Sequence, residues 1–182
     1  MWIIIIVAIA LVLVFWFISV QRRLVNCDEN CSNAMSQIGV QQQSRWDALT
    51  ALAELTKGYS EHEYNALRDI IAMRQGVNGN STAKQVDEQE ELISKALQGV
   101  NVVIERYPDL KANTTYIKTM DSVNTYENQV RTSRMVYNDS VTIYNRLIRQ
   151  FPSSIVASML HFDKKDYLQE NPATASMPSM KL

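Results

Sequence analysis

A chain of 182 residues can bury the core of one ordinary domain without disulfide or metal staples. Its 18 Lys and Arg are matched by 19 Asp and Glu, and a net charge of −1 gives no electrostatic ground for binding nucleic acid. Only five Gly and four Pro punctuate it, as expected for long helices with short breaks and few strands.

The first element is WIIIIVAIALVLVFWFISV, Trp2 to Val20, without a single charge. As a helix it measures about 28 Å, close to the ~30 Å hydrocarbon core of a bilayer. Nothing basic precedes it and its apolar core is longer than that of a cleavable signal, so residues 2–20 are expected to form an uncleaved, single-pass membrane anchor. Arg22 and Arg23 follow directly, and positive flanking charge favours the cytoplasmic side, which puts Met1 outside and the rest of the chain inside. Trp2 and Trp16 suit the interfacial ends of the span, although Trp16 lies a turn inside it.

Cys27 and Cys31 come next, one helical turn apart. With no His nearby they make no tetrahedral metal set, and i, i+4 cysteines on an intact helix seldom reach disulfide geometry. They read as small apolar residues of the juxtamembrane helix, with palmitoylation as the alternative.

Periodicity organises residues 21–170 into three long helices and a short one. Ala34, Ile38, Gln41, Arg45, Ala48, Leu52, Leu55 and Tyr59 alternate spacings of four and three, with no breaker before GVNGNST at residues 76–82. No Pro separates this stripe from the anchor, so the two are expected to form one continuous rod. Thr82 and Gln85 have capping-box spacing, and Ile93, Ala96, Val100, Val103 and Tyr107 line the next helix up to Pro108. The third helix starts near Thr114 with a stripe of Val123, Glu127, Val130, Arg134, Tyr137, Val141, Tyr144, Ile148 and Phe151. Pro152 stops it, Ser153 can cap a short helix to about Leu160, and residues 171–182 read as a loose tail. The expected fold is all-α: a transmembrane helix running into an elongated antiparallel bundle, with coiled-coil-like seams.

Polar residues interrupt these stripes. Gln41 and Arg45 lie on the first and Glu127 and Arg134 on the third. In an up-down-up bundle the first and third helices run parallel, and Glu127 is expected to pair with Arg45 or Arg134 in a buried layer that fixes register. An acid/base site is the alternative, but a carboxylate beside arginines serves poorly as a proton donor. Tyr137-Asn138 repeats seven residues later as Tyr144-Asn145. The tyrosines fill successive seam layers, and the asparagines, rotated beside them, can bond to a neighbouring helix or water and form a possible interface.

His62, within EHE, reads as part of the helix surface or its seam, and His161 as a surface residue. No GxSxG, Gly-rich phosphate loop, HExxH or CxxC occurs, so catalysis, metal and cofactor have no sequence support.

ALTALAELTKGYSEHE, YPDLKAN and YENQVRTSRMVYNDSVTIYNRLIRQFP, with Ala34, Ser36, Gln37, Ile38 and Val40, resemble the LemA family of bacterial membrane proteins over residues 25–168. The resemblance implies an N-terminal anchor, a bundle of long helices and a poorly defined biochemical function, with relatives in magnetotactic bacteria that help build magnetosome membranes. Three positions depart from the family pattern: Gly39 stands for Asp, Trp46 for a basic residue, and His161 for Gly.

The functional expectation is a non-catalytic structural or interaction protein in a bacterial membrane, with the lipid bilayer and further copies of itself as partners. A regulatory accessory of a membrane enzyme or protease, acting through the same helical surfaces, is the alternative.

Overall fold

The computed structural model describes residues 1–169; the expected loose tail lies outside them. All regular structure among the described residues is helical: α1 (Trp2–Thr56), α2 (Glu61–Ala72), α3 (Ala83–Arg106), α4 (Pro108–Lys111), α5 (Thr114–Arg149) and α6 (Ser153–Met159). Helix α1 is the continuous rod expected, 55 residues and about 80 Å long. Its first turns are bare, with Trp2, Ile3 and Ile6 all more than 60% exposed, and it is long and apolar enough to cross a membrane.

Where one soluble helix was expected as far as Gly76, there are two. Helix α1 stops at Thr56, and Lys57–Tyr59 turn the chain into α2. Ser60 caps the new helix, its Oγ accepting from the Glu63 N–H at 3.3 Å. Tyr59, the last residue of the first stripe, is consequently exposed.

This extra reversal changes the direction of every later helix. Helix α2 returns along α1, as the Arg74–Asp47 and Tyr64–Glu54 pairs record. Helix α3 then runs parallel to α1: Val86 packs near Ile38, while Val100 and Val103 pack near Leu49 and Leu52. Helix α5 is antiparallel to α1, contrary to the parallel arrangement expected. Val123 joins Trp46 and Leu49, Tyr137 and Val141 join Ala34 and Ile38, and Leu147 joins Leu24.

The connections follow local chemistry. Thr82 and Gln85 close the expected capping box at the start of α3. In YPDLKAN, Pro108 opens the single turn α4, Leu110 plugs the core with no exposure, and Asn113 caps α5 by accepting from the Thr115 and Tyr116 amides. Gly39 and Gly79 let residues 76–80 lie directly on α1; a Cβ on Gly39 would sit 2.0 Å from the Val77 carbonyl oxygen. At the end of α5 the stripe stops short of Phe151, which is exposed. Ser153 is the first residue of α6 rather than its cap, and its hydroxyl reaches back to within hydrogen-bond distance of the Leu147 and Gln150 carbonyls, sharing its one proton at the terminus of α5.

Candidate functional site

Arg45 is the centre of the polar layer. It projects from the C-terminal quarter of α1 and is 3% exposed. Its Nη1 donates to Glu90 Oε1 on α3, and its Nη2 lies 3.5 Å from Glu127 Oε2 on α5, so one guanidinium joins three helices. The other Glu90 oxygen accepts from Gln42 Nε2 at 3.2 Å. Gln42, rather than the expected Gln41, is the buried amide; Gln41 is half-buried one position round the helix. Gln42 Oε1, Arg45 Nε and Trp46 Nε1 are buried there without partners.

Arg134 belongs to a separate level. It donates to Asp87 Oδ1 on α3 at 2.7 Å and to the Gln169 carbonyl. The four residues expected to form one layer therefore divide: Arg45 and Glu127 meet, Arg134 binds elsewhere, and Gln41 takes no part. Glu90, the closer carboxylate on Arg45, and Asp87 were missed. Continuing the α3 stripe backwards from Ile93 by three residues reaches Glu90, so the signal for it was present.

The two Tyr-Asn pairs do one job twice. After α6 the chain extends along α5 from Phe162 to Gln169. Asn145 Nδ2 donates to the Lys165 carbonyl at 2.8 Å while its Oδ1 accepts from the Lys165 N–H at 3.0 Å. Asn138 grips Leu168 in the same way, at 3.1 and 3.0 Å. Each tyrosine hydroxyl donates to the carbonyl two residues earlier, Tyr144 to Asp163 at 2.9 Å and Tyr137 to Asp166 at 3.1 Å. The repeat distances match: seven helical residues rise about 10.5 Å, and three extended residues span about 10 Å. The asparagines therefore serve as surrogate strand edges within the chain, not as contacts to a neighbouring helix or water.

Burial pushes the Tyr137 and Tyr144 phenols up to about 12. Burial likewise pushes the Cys31 thiol up to about 11, so it is a protonated core residue at neutral pH; Cys27, also a free thiol, is half-buried. His62 and His161 are exposed. His161 holds the left-handed φ of 57°, at the position where the family pattern has Gly. Trp46, replacing a basic residue, is 1% exposed in the core. No group of three or more potential metal-ligating side chains gathers among the described residues.

The chain is similar in sequence to known proteins. The protein LemA of Metamycoplasma hominis is 26% identical over 150 residues, 81% of this chain and 68% of that protein. Magnetosome protein MamQ 2 of Paramagnetospirillum magneticum is 33% identical over 78 residues, 43% of this chain. MamQ of Magnetospirillum gryphiswaldense is 30% identical over a segment of the same length. The aligned segment spans only 29% of each of these two magnetosome proteins. The family model for LemA matches residues 34–182, a range that takes in the Arg45 layer, the α3–α5 turn and both Tyr-Asn pairs, and the chain belongs to the LemA family.

Proposed function

We propose that this protein is a membrane-anchored structural element that associates with further copies of itself and organises a membrane assembly, with no chemistry of its own. The observation that carries this reading is the outward face of α5. Met135, Val136 and Ile143 are 63%, 52% and 56% exposed there, on the side opposite the buried Tyr137 and Val141 seam. Exposed apolar residues clustered on one helix face suit a protein contact. The continuous α1 rod supports the reading too: the residues from Gln21 to Thr56 rise about 54 Å, so the bundle runs on from the span without a hinge.

The polar layer fits a structural role. The Glu90 carboxylate accepts from Arg45 and Gln42 on its two oxygens, an arrangement that fixes helix register rather than presenting a proton to a substrate. The magnetosome relatives are named for a membrane-bounded organelle, and a role in membrane organisation is consistent with them. Arg22 and Arg23 favour a cytoplasmic bundle, a topology checked by labelling a cysteine near Met1 from outside intact cells.

The test is cross-linking of the full chain in its membrane, followed by mass measurement after extraction. Homo-oligomers that are lost in Val136→Glu with Ile143→Glu are expected. A monomer in both measurements refutes self-association, and one stoichiometric foreign partner that is lost in the same variant assigns the face to the accessory role instead.

A further inference from the structure

Helix α6 sits at the level where the apolar span ends. Its Val156 and Ala157 are buried with Leu24 and Leu147, and Trp16, Phe17 and Val20 of the span pack against that cluster. Trp16 is thus turned from the interface towards protein, which accounts for its place a turn inside the span. The opposite side of this corner is apolar and bare. Phe151, Ile155 and Met159, spaced four residues apart, are 78%, 51% and 63% exposed.

The charge next to the span and along the α5–α6 corner is basic. Arg22 and Arg23 follow the span, Arg146 and Arg149 occupy the last turn of α5, and all four are exposed. No Asp or Glu occurs on α1 before Asp28, nor anywhere between Arg146 and Phe162. Asp28 itself is paired with Lys165 at 2.9 Å.

We propose that the α5–α6 corner is a second membrane contact: Phe151, Ile155 and Met159 enter the headgroup layer beside the α1 span, and the four arginines bind anionic lipid headgroups. The occupant is set by continuity, because the corner packs through Val156 and Ala157 on a helix that itself runs into the bilayer, at the level where the span ends. An amphipathic segment at this height buries its apolar side about 5–10 Å into the headgroup boundary, and basic residues add attraction to anionic lipid. Two attachment points would fix the rotation and tilt of the bundle, which a single span leaves free.

The proposal rests on reading Trp2–Val20 as the anchor, and the experiment separates the two. Photoreactive benzoylphenylalanine is placed at Ile155, at Ala8 in the span, or at exposed Asp139 on the bundle, in the full chain reconstituted in phosphatidylcholine–phosphatidylglycerol vesicles. Mass spectrometry of the irradiated protein reads the adducts. Lipid adducts at 155 and 8 but not at 139 are expected, with the yield at 155 falling several-fold in pure phosphatidylcholine while that at 8 holds. Adducts at 8 with none at 155, or cross-links from 155 to a second chain, overturn the proposal and leave the anchor standing. No lipid adduct at 8 refutes the anchor itself, and a yield at 155 indifferent to phosphatidylglycerol refutes the role of the arginines.

Discussion

Replacing Asn145 by Ala tests whether the Tyr-Asn repeat holds the extended segment. Asn145 is 1% exposed, and both polar atoms of its amide are engaged by the backbone of Lys165. Each such bond contributes about 1 kcal/mol net, so their joint loss costs about 2 kcal/mol, a roughly thirtyfold rise in the locally open population. The Lys165–Asp28 pair is partly exposed and offsets well under ~1 kcal/mol of this.

Amide hydrogen exchange of residues 162–169 is the direct assay. In Asn145→Ala the Lys165 amide should exchange roughly thirtyfold faster, and the Leu168 amide less so while Asn138 keeps its grip. Asn145→Asp should be at least as damaging, since it keeps an acceptor for the Lys165 N–H but turns an oxygen towards the Lys165 carbonyl. Both asparagines restrain one segment, so the second removal should cost less than the first. Unchanged protection at Lys165 in Asn145→Ala, or strict additivity with Asn138→Ala, would refute the clamp.

Three further outcomes follow from the packing. Arg45→Met should destabilise by about 3–5 kcal/mol in denaturant titration because it leaves Glu90 buried with only Gln42, whereas Arg45→Met with Glu90→Leu should recover most of the loss; Glu127→Gln, at a more exposed partner, should cost under ~1 kcal/mol. Gly39→Ala should lower stability by about 1–3 kcal/mol and raise exchange across residues 76–80, since the added Cβ meets backbone at Val77. In an alkaline spectrophotometric titration, two of the eight tyrosines should ionise near pH 12, and Tyr137→Phe and Tyr144→Phe should each remove one. The sign follows from the raised phenols: the unfolded chain releases these protons near pH 10, so their stabilisation is complete below pH 10 and is lost as pH rises through about 12.

Much of the fold was legible because its helices bury long regular stripes. Ile93, Ala96, Val100 and Val103 are all buried as their spacing requires, and the capping box at Thr82 forms. The rod from the span into the bundle was visible as an absence of breakers. The reversal at Lys57–Ser60 was hidden by chance phasing: Leu55 and Tyr59 continue the four-three alternation across the turn. The signal that could have found it, Ser60 followed three residues later by Glu63, has the spacing recognised at Thr82 and Gln85.

That one missed turn also decided what could be said of the polar layer. With three rods, α1 and α5 would be parallel and α1 would need only one narrow apolar stripe. With four, α1 lies against α2, α3 and α5 at once, so its buried surface widens to include Met35, Gln42, Trp46, Leu49 and Ala53, which the stripe passes over. Gln42 is then as inward as Arg45, and the nearest carboxylate comes from α3, which runs parallel to α1, rather than from α5. Arg45 and Glu127 still meet although α5 runs opposite to the direction expected. Arg134, a heptad further along, lies at a different level. Reversing α5 carries it one way along α1 from that crossing level, towards Met35 and Ile38, and it pairs with Asp87, one turn before Glu90 on α3.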